Sequence, residues 1–359
     1  MTRGTSLYLD LVRFAAAMTV LLGHFSHHRI SGGLFWQVDL FGSNQAVMVF
    51  FVLSGFVVAY VTDARERTPR DYAISRAARI YSVALPALLA VPALDWLGRT
   101  INPAAYDVIG PTTLWGFVAH LLFLNEAWLH HIEFGSLYPY WSLGYEVWYY
   151  AVFGVAIFTP APWSLPAAGL VLLAIGPNVA ALFPVWLMGW GCYRLSRRRA
   201  PAAHLPAILL IAGPILGWVA FEWFAWRSGL RSGITPLYEQ RWQIWQNYVL
   251  GLLFSLHLLG ITWRSEWVGA VLARPAAAIR WLAGATFTIY LFHFPVMMVL
   301  LAVCPWPGIA ARRVFLLAGT LVCVFLIAEV TERRKAAWRR LFTALLGRPR
   351  TRAAASAGE

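Results

Sequence analysis

Residues 9–24 decide how this chain is read: Leu9-Asp10-Leu11-Val12-Arg13-Phe14-Ala15-Ala16-Ala17-Met18-Thr19-Val20-Leu21-Leu22-Gly23-His24. The stretch is apolar enough for a membrane helix, yet it carries an arginine and a histidine. Ten residues separate the two. A step of eleven at about 100° per residue returns to within about 20° of the same face, roughly 16 Å further along the axis. A charge in the hydrocarbon core costs several kcal/mol unless it faces a polar cavity. The pair therefore suggests a polar path with a cation at one end and a proton-handling group at the other. A snorkelling arginine and a histidine hydrogen-bonded between helices would explain the same residues, and helix geometry alone leaves both readings open.

The surrounding composition agrees with a membrane setting. The 359 residues are 60% hydrophobic and 13% charged, with mean hydropathy +0.61; a soluble globule carries about a quarter charged residues. The net charge of +13 is almost all arginine, Lys335 being the one lysine. Basic loops flanking membrane spans account for this without nucleic acid, which would need a soluble basic face. Cys192, Cys304 and Cys323 are odd in number and match no metal spacing, and the adjacent pairs His27-His28 and His130-His131 do not share a helix face. No metal site is expected. Arg13 interrupts the apolar core of the N-terminal segment and no small-residue cleavage site follows, so that segment reads as the first span, not as a signal peptide.

Eleven apolar segments are candidates: 8–26, 45–61, 82–97, 112–128, 141–158, 165–182, 184–195, 204–224, 244–262, 281–303 and 314–330. Basic stretches at 65–79, 194–199 and 332–352 mark the cytoplasmic side. Crossings between two cytoplasmic loops must be even in number, yet five candidates lie between the first two. One of them does not span. Segment 112–128, with His120 between polar, proline-bearing loops, is the choice, and 184–195 is the other suspect. A re-entrant helix is permitted where protein or water satisfies its backbone. The expectation is an all-α polytopic membrane protein with about ten transmembrane helices and one re-entrant or interfacial helix. Residues 1–335 would form the membrane domain and 336–359 a basic cytoplasmic tail, partly disordered. Both termini would be cytoplasmic, with Arg13 inward and His24 outward.

Further polar residues sit inside these apolar runs. Glu146 lies about one turn into Tyr140-Trp141-Ser142-Leu143-Gly144-Tyr145-Glu146, where a carboxylate needs a partner or a proton. Arg76 and Arg79 share a helix face, with Arg70 nearby, and two guanidiniums so placed can chelate phosphate oxygens; topology marking is the simpler explanation of the charge. Ser54-Gly55 would let two helices approach closely. Tyr290 and His293 share a face as either packing or a second polar site. Trp223, Trp226, Trp242 and Trp245 flank an outer loop and fit an interfacial belt better than a sugar-stacking surface.

Taken together these segments resemble the acyltransferase family 3 membrane proteins, which O-acylate carbohydrates, over nearly the whole chain and in the same order. Leu9-Asp10 with Arg13 and His24 is similar to the family's arginine, ten residues, histidine signature. Phe50 to Phe56, Arg76-Ala77-Ala78-Arg79-Ile80-Tyr81, Trp141-Ser142-Leu143 with Glu146 and Tyr150, and Tyr290-Leu291-Phe292-His293 with Pro295 resemble its later motifs. The chain departs from the pattern at Val147, where a second glutamate is common, at Thr286-Phe287, and at Arg334, where a proline usually stands. It looks like the stand-alone form, without a hydrolase-like C-terminal domain.

The resemblance implies a multi-pass enzyme of the bacterial inner membrane. Its donor would be acyl-coenzyme A, acetyl foremost, and its acceptor a carbohydrate hydroxyl at the outer face. Arg76, Arg79 and Arg70 would hold the donor phosphates and Arg13 the inner mouth of the path. His24 would act as base or acyl carrier, with Glu146 orienting or charge-stabilising it. Asp10, Ser54, Trp141, Ser142, Tyr150, Tyr290 and His293 would line the path or acceptor site. The rival from another class is a transporter or flippase for a lipid-linked glycan using the same residues, told apart by translocation without release of coenzyme A. A scaffold with a dead site would not need Arg13, His24 and Glu146 together. The partners expected are the bilayer, the donor and a glycan, with no nucleic acid; the acceptor's identity and the oligomeric state are not legible.

Overall fold

Threonines and prolines at the polar breaks start the helices, and the apolar runs between them fill them. In the computed structural model, which describes residues 1–41, 43–198, 204–227, 244–306 and 308–346, all regular structure among the described residues is helical. The helices are α1 (Arg3–Phe25), α2 (His28–Ser31), α3 (Trp36–Phe41), α4 (Ser43–Arg65), α5 (Pro69–Ile101), α6 (Leu114–Leu121), α7 (Trp141–Phe158) and α8 (Ser164–Ile175). They continue as α9 (Pro177–Ser196), α10 (His204–Arg227), α11 (Ile244–Trp263), α12 (Ser265–Val271), α13 (Ala276–Ala283), α14 (Thr286–Val303), α15 (Ile309–Val330) and α16 (Lys335–Leu345). Thr2 caps α1, Thr68 caps α5 ahead of Pro69, and Thr113 caps α6, each hydroxyl accepting a backbone N–H three residues on. Seven helices are long and apolar enough to cross a membrane by length and composition. This is the all-α polytopic architecture expected. Arg199, Trp242 and the tail beyond residue 346 lie outside the described residues, as does the side chain of Trp226.

The segment 112–128 holds only the eight-residue α6, too short to span, followed by turns with positive φ at Phe123 and Trp128. Its irregular backbone is satisfied by side chains. Tyr81 Oη donates to Leu121 O at 3.1 Å, Trp148 Nε1 to Phe123 O at 2.8 Å, and Tyr140 Oη to His120 O at 2.8 Å. Trp148 lies about two turns into α7, so the loop dips below the start of that helix. Such a dip is tolerated in hydrocarbon only with partners of this kind. By contrast, 184–195 lies within the 20-residue α9. The span expected over 165–182 is divided. Gly176 takes φ 97° and Pro177 opens α9, so α8 has 12 residues and ends against the loop, where Trp128 N donates to Ile175 O at 2.7 Å. A glycine-proline pair ends one helix and starts the next for the reasons each residue is suited to it.

The core forms where small residues let backbones meet. A Cβ on Gly55 would lie 2.1 Å from Trp186 O, and one on Gly189 would lie 2.0 Å from Val52 O, so α4 and α9 are in backbone contact. Without a hydrophobic driving force between helices in lipid, such close packing supplies much of the association energy. α1 lies against α4 and α14, with α12 and α13 beside its first half. This placement brings one face of α1 toward α14 and the polar stripe of α7.

Candidate active site

His24 closes the last turn of α1 and meets α14. Its Nδ1 lies 2.7 Å from His293 Nε2, with the rings stacked at 5.0 Å between centroids. His293 is fully buried, and its Nδ1 lies 2.8 Å from Ile289 O. A backbone carbonyl only accepts, so His293 carries its proton on Nδ1 and accepts on Nε2. His24 must then donate from Nδ1, which leaves the lone pair of its Nε2 free. The chain Ile289, His293, His24 thus fixes one tautomer of the terminal imidazole by hydrogen bonding alone. Tyr138 packs edge-on against the His24 ring at 5.6 Å, and Phe294 lies 5.3 Å from it.

Glu146 belongs to a different cluster. Ser142, Glu146 and Tyr150 recur every four residues on α7 and so form one stripe. Ser54 Oγ donates to Glu146 Oε1 at 2.6 Å, Tyr150 Oη donates to the same oxygen, and Trp186 Nε1 donates to Ser54 Oγ at 3.2 Å. Ser142 Oγ and Tyr290 Oη are 2.6 Å apart. The hydrogen-bond partner that the fold gives His24 is therefore His293, while Glu146 is held between α4 and α7. Trp141 faces the re-entrant loop and stacks edge-on with Tyr145 at 5.5 Å.

Below these residues opens a cavity of ≈ 570 Å³, within the range of ligand pockets. Six cations line it, Arg13, Arg76, Arg79, Arg280, Lys335 and Arg339, against the carboxylates of Asp10, Glu146 and Glu332. Asp10 takes Arg13 Nη1 at 3.3 Å. Arg76 donates from Nη2 to both Glu66 oxygens, at 2.9 and 2.7 Å, and stacks over Tyr72 and Tyr150. That buried pair, 9% and 5% exposed, occupies much of the arginine that the sequence offers to phosphate. Arg79 has no ion-pair partner among the described residues. Arg70 does not line the cavity. Glu332 Oε2 accepts from Phe287 N at 2.9 Å and Thr288 N at 3.0 Å, so it caps α14. The excess of positive charge beside low-dielectric walls favours an anionic ligand.

Ser54, Ser142, Tyr150 and Tyr290 all reach the cavity, and His293 follows Tyr290 by three residues on α14. The imidazole pair therefore lies about one helical turn past the cavity's inner end. Arg280, Lys335 and Arg339 were not legible as site residues, because basic residues near span ends read as topology markers. No group of three or more possible metal ligands occurs among the described residues.

Comparison with known proteins adds to this geometry. A family model described as an acyltransferase domain matches residues 6–329. The chain is 30% identical over 141 residues to the exopolysaccharide production protein ExoZ of Rhizobium meliloti (strain 1021). That match covers 36% of this chain and 39% of the relative's length. No solved structure matches the chain.

Proposed function

We propose, given that this chain belongs to the acyltransferase-domain family, that it is a membrane O-acyltransferase. It moves an acyl group, acetyl foremost, from acyl-coenzyme A to a hydroxyl of a carbohydrate acceptor. The reading is supported above all by a tautomer-fixed imidazole one turn beyond a cavity lined by six cations, four of them without an ion-pair partner among the described residues. The donor enters from the basic rim, taken as the cytoplasmic side of a bacterial inner membrane because basic residues gather there. Its phosphates meet Arg79 and Arg13. Its pantetheine arm runs along α1 past Ser142 and Tyr290. The thioester then lies near His24, where the acceptor hydroxyl arrives from the opposite face.

His24 Nε2 takes the hydroxyl proton as the oxygen attacks the thioester carbonyl. The C–O bond forms, the C–S bond breaks, and the departing thiolate receives the proton from His24. An acyl-His24 intermediate divides the same chemistry into two steps, with acyl transfer to Nε2 first. His293 positions His24 throughout. Glu146 holds Ser54 and Tyr150 on the cavity wall and offsets the charge of the neighbouring arginines. The relative's name, an exopolysaccharide production protein, supports a surface glycan as acceptor.

The experiment is mass spectrometry of surface glycans from cells expressing the wild type or His24→Ala. The expected outcome is an acyl mass shift with the wild type and a loss of about 10²-fold or more with the variant, at equal folded protein in the membrane. Acylation by His24→Ala at the wild-type level overturns the mechanism.

A further inference from the structure

The cations that the proposed donor site leaves unused gather at its rim, on two elements that sequence reading sets aside. Lys335 and Arg339 stand four apart on α16 and both line the cavity, as does Arg280 on α13. Among the described residues no carboxylate lies within ion-pair distance of any of the three. Glu332, an acid on the same rim, is committed to the backbone N–H groups that open α14. α16 follows the last residue matched by the family model, 329, and buries no side chain. It is held to α5 through Phe342, whose ring lies 5.9 Å from that of Tyr81.

The order of residues along α14 sets the direction of the ligand. Phe287 and Thr288 meet Glu332 at the start of α14, Tyr290 follows along the cavity, and His293 lies beyond it. A thioester at His24 therefore leaves the nucleotide end of the donor at the rim. That end of coenzyme A carries a phosphomonoester on the ribose, a group with charge of about −1.5 to −2 at neutral pH. We propose that Lys335 and Arg339 on α16, with Arg280 on α13, form a phosphomonoester subsite that selects the 3′-phosphorylated nucleotide end of the donor. This rests on the reading of the donor as acyl-coenzyme A. The wider cluster suits it: Arg79 and Arg13 lie deeper, at the level of the diphosphate, and Arg76 is already held by Glu66.

The test measures dissociation constants of coenzyme A and of 3′-dephospho-coenzyme A for the full chain purified in detergent. The wild type is compared with the double variant Lys335→Gln/Arg339→Gln. Arg340→Gln serves as the control, a cation on the same helix that does not line the cavity. The wild type is expected to bind coenzyme A about 10- to 100-fold more tightly than the dephospho form, as the net gain of one charge-assisted contact shared between two exposed side chains would give. The double variant loses that preference and binds dephospho-coenzyme A as the wild type does, while Arg340→Gln keeps the preference. Because Lys335 and Arg339 are exposed, the substitutions leave the core intact. A wild type that binds both ligands equally, a double variant that keeps the preference, or one that weakens for both ligands alike overturns the subsite. A wild type that binds neither ligand overturns the donor reading itself.

Discussion

With His24 as the proposed base, replacing His293 separates its orientation from binding of the proposed donor. In His293→Ala the Nδ1–H of His24 loses the acceptor now 2.7 Å away. A buried donor left without a partner costs about 1–3 kcal/mol. At about 1.4 kcal/mol per factor of ten, this disfavours the tautomer with a free Nε2 by about 5- to 150-fold. kcat is expected to fall by that factor. KM for acetyl-coenzyme A is expected to hold, since His293 does not line the cavity. The assay is transfer of labelled acetyl from acetyl-coenzyme A in isolated membranes, normalised to folded protein. His293→Gln, whose amide oxygen can take the place of Nε2, is expected to restore part of the rate, which a loss of packing alone would not predict. The double variant with His24→Ala is expected to be no slower than His24→Ala by itself, because the two act as one unit. A His293→Ala enzyme with wild-type kcat, or a double variant whose losses multiply, refutes the tautomer reasoning.

The two arginines of α5 are expected to fail in different ways. Arg76→Ala leaves Glu66 buried without a counter-ion, at a cost of about 3–5 kcal/mol, so the protein is lost from the membrane; Arg79→Ala accumulates normally and raises KM for the donor, and a swap of these phenotypes on immunoblot and in kinetics contradicts the assignment. In the loop after α6, the hydrogen bond that His131 Nδ1 donates to Glu126, 2.6 Å away, lifts the His131 pKa above the ordinary imidazole value. The stabilisation is complete below the unfolded value of about 6.5 and is lost as pH rises through the higher folded one. Amide exchange in residues 126–132, corrected for intrinsic rate, should therefore speed up on going from about pH 6 to about pH 8, and Glu126→Gln should flatten that dependence.

Periodicity carried the reading furthest where a single helix decides the outcome. Arg13 and His24 share a face by the count between them, and the stripe Ser142, Glu146, Tyr150 follows from the same rule. Pairings between helices were not legible, because the rotation of one helix against another is set by packing such as the Gly55 and Gly189 contacts. Glu146 thus sits on Ser54, and His24 on His293, a residue whose sequence context suits packing and polarity equally. Glu66 lies within the basic stretch 65–79, and only the fold turns it onto Arg76. The break at Gly176-Pro177 did carry a signal, the dipeptide itself, but the apolar run across it was continuous enough to read as one span.

The contact between Ser142 and Tyr290 has a consequence for the cell's energy supply. A polar route from one face of a membrane to the other is also a wire for protons, and a bacterium that maintains a gradient cannot tolerate a leak. The two hydroxyls, 2.6 Å apart, belong to residues that line the cavity, and neither His24 nor His293 is among those residues. The imidazoles are thereby set apart from the basic residues that line the cavity. If the proposed acyl arm parts the two hydroxyls, it also fills the gap it makes, and the route stays closed to protons.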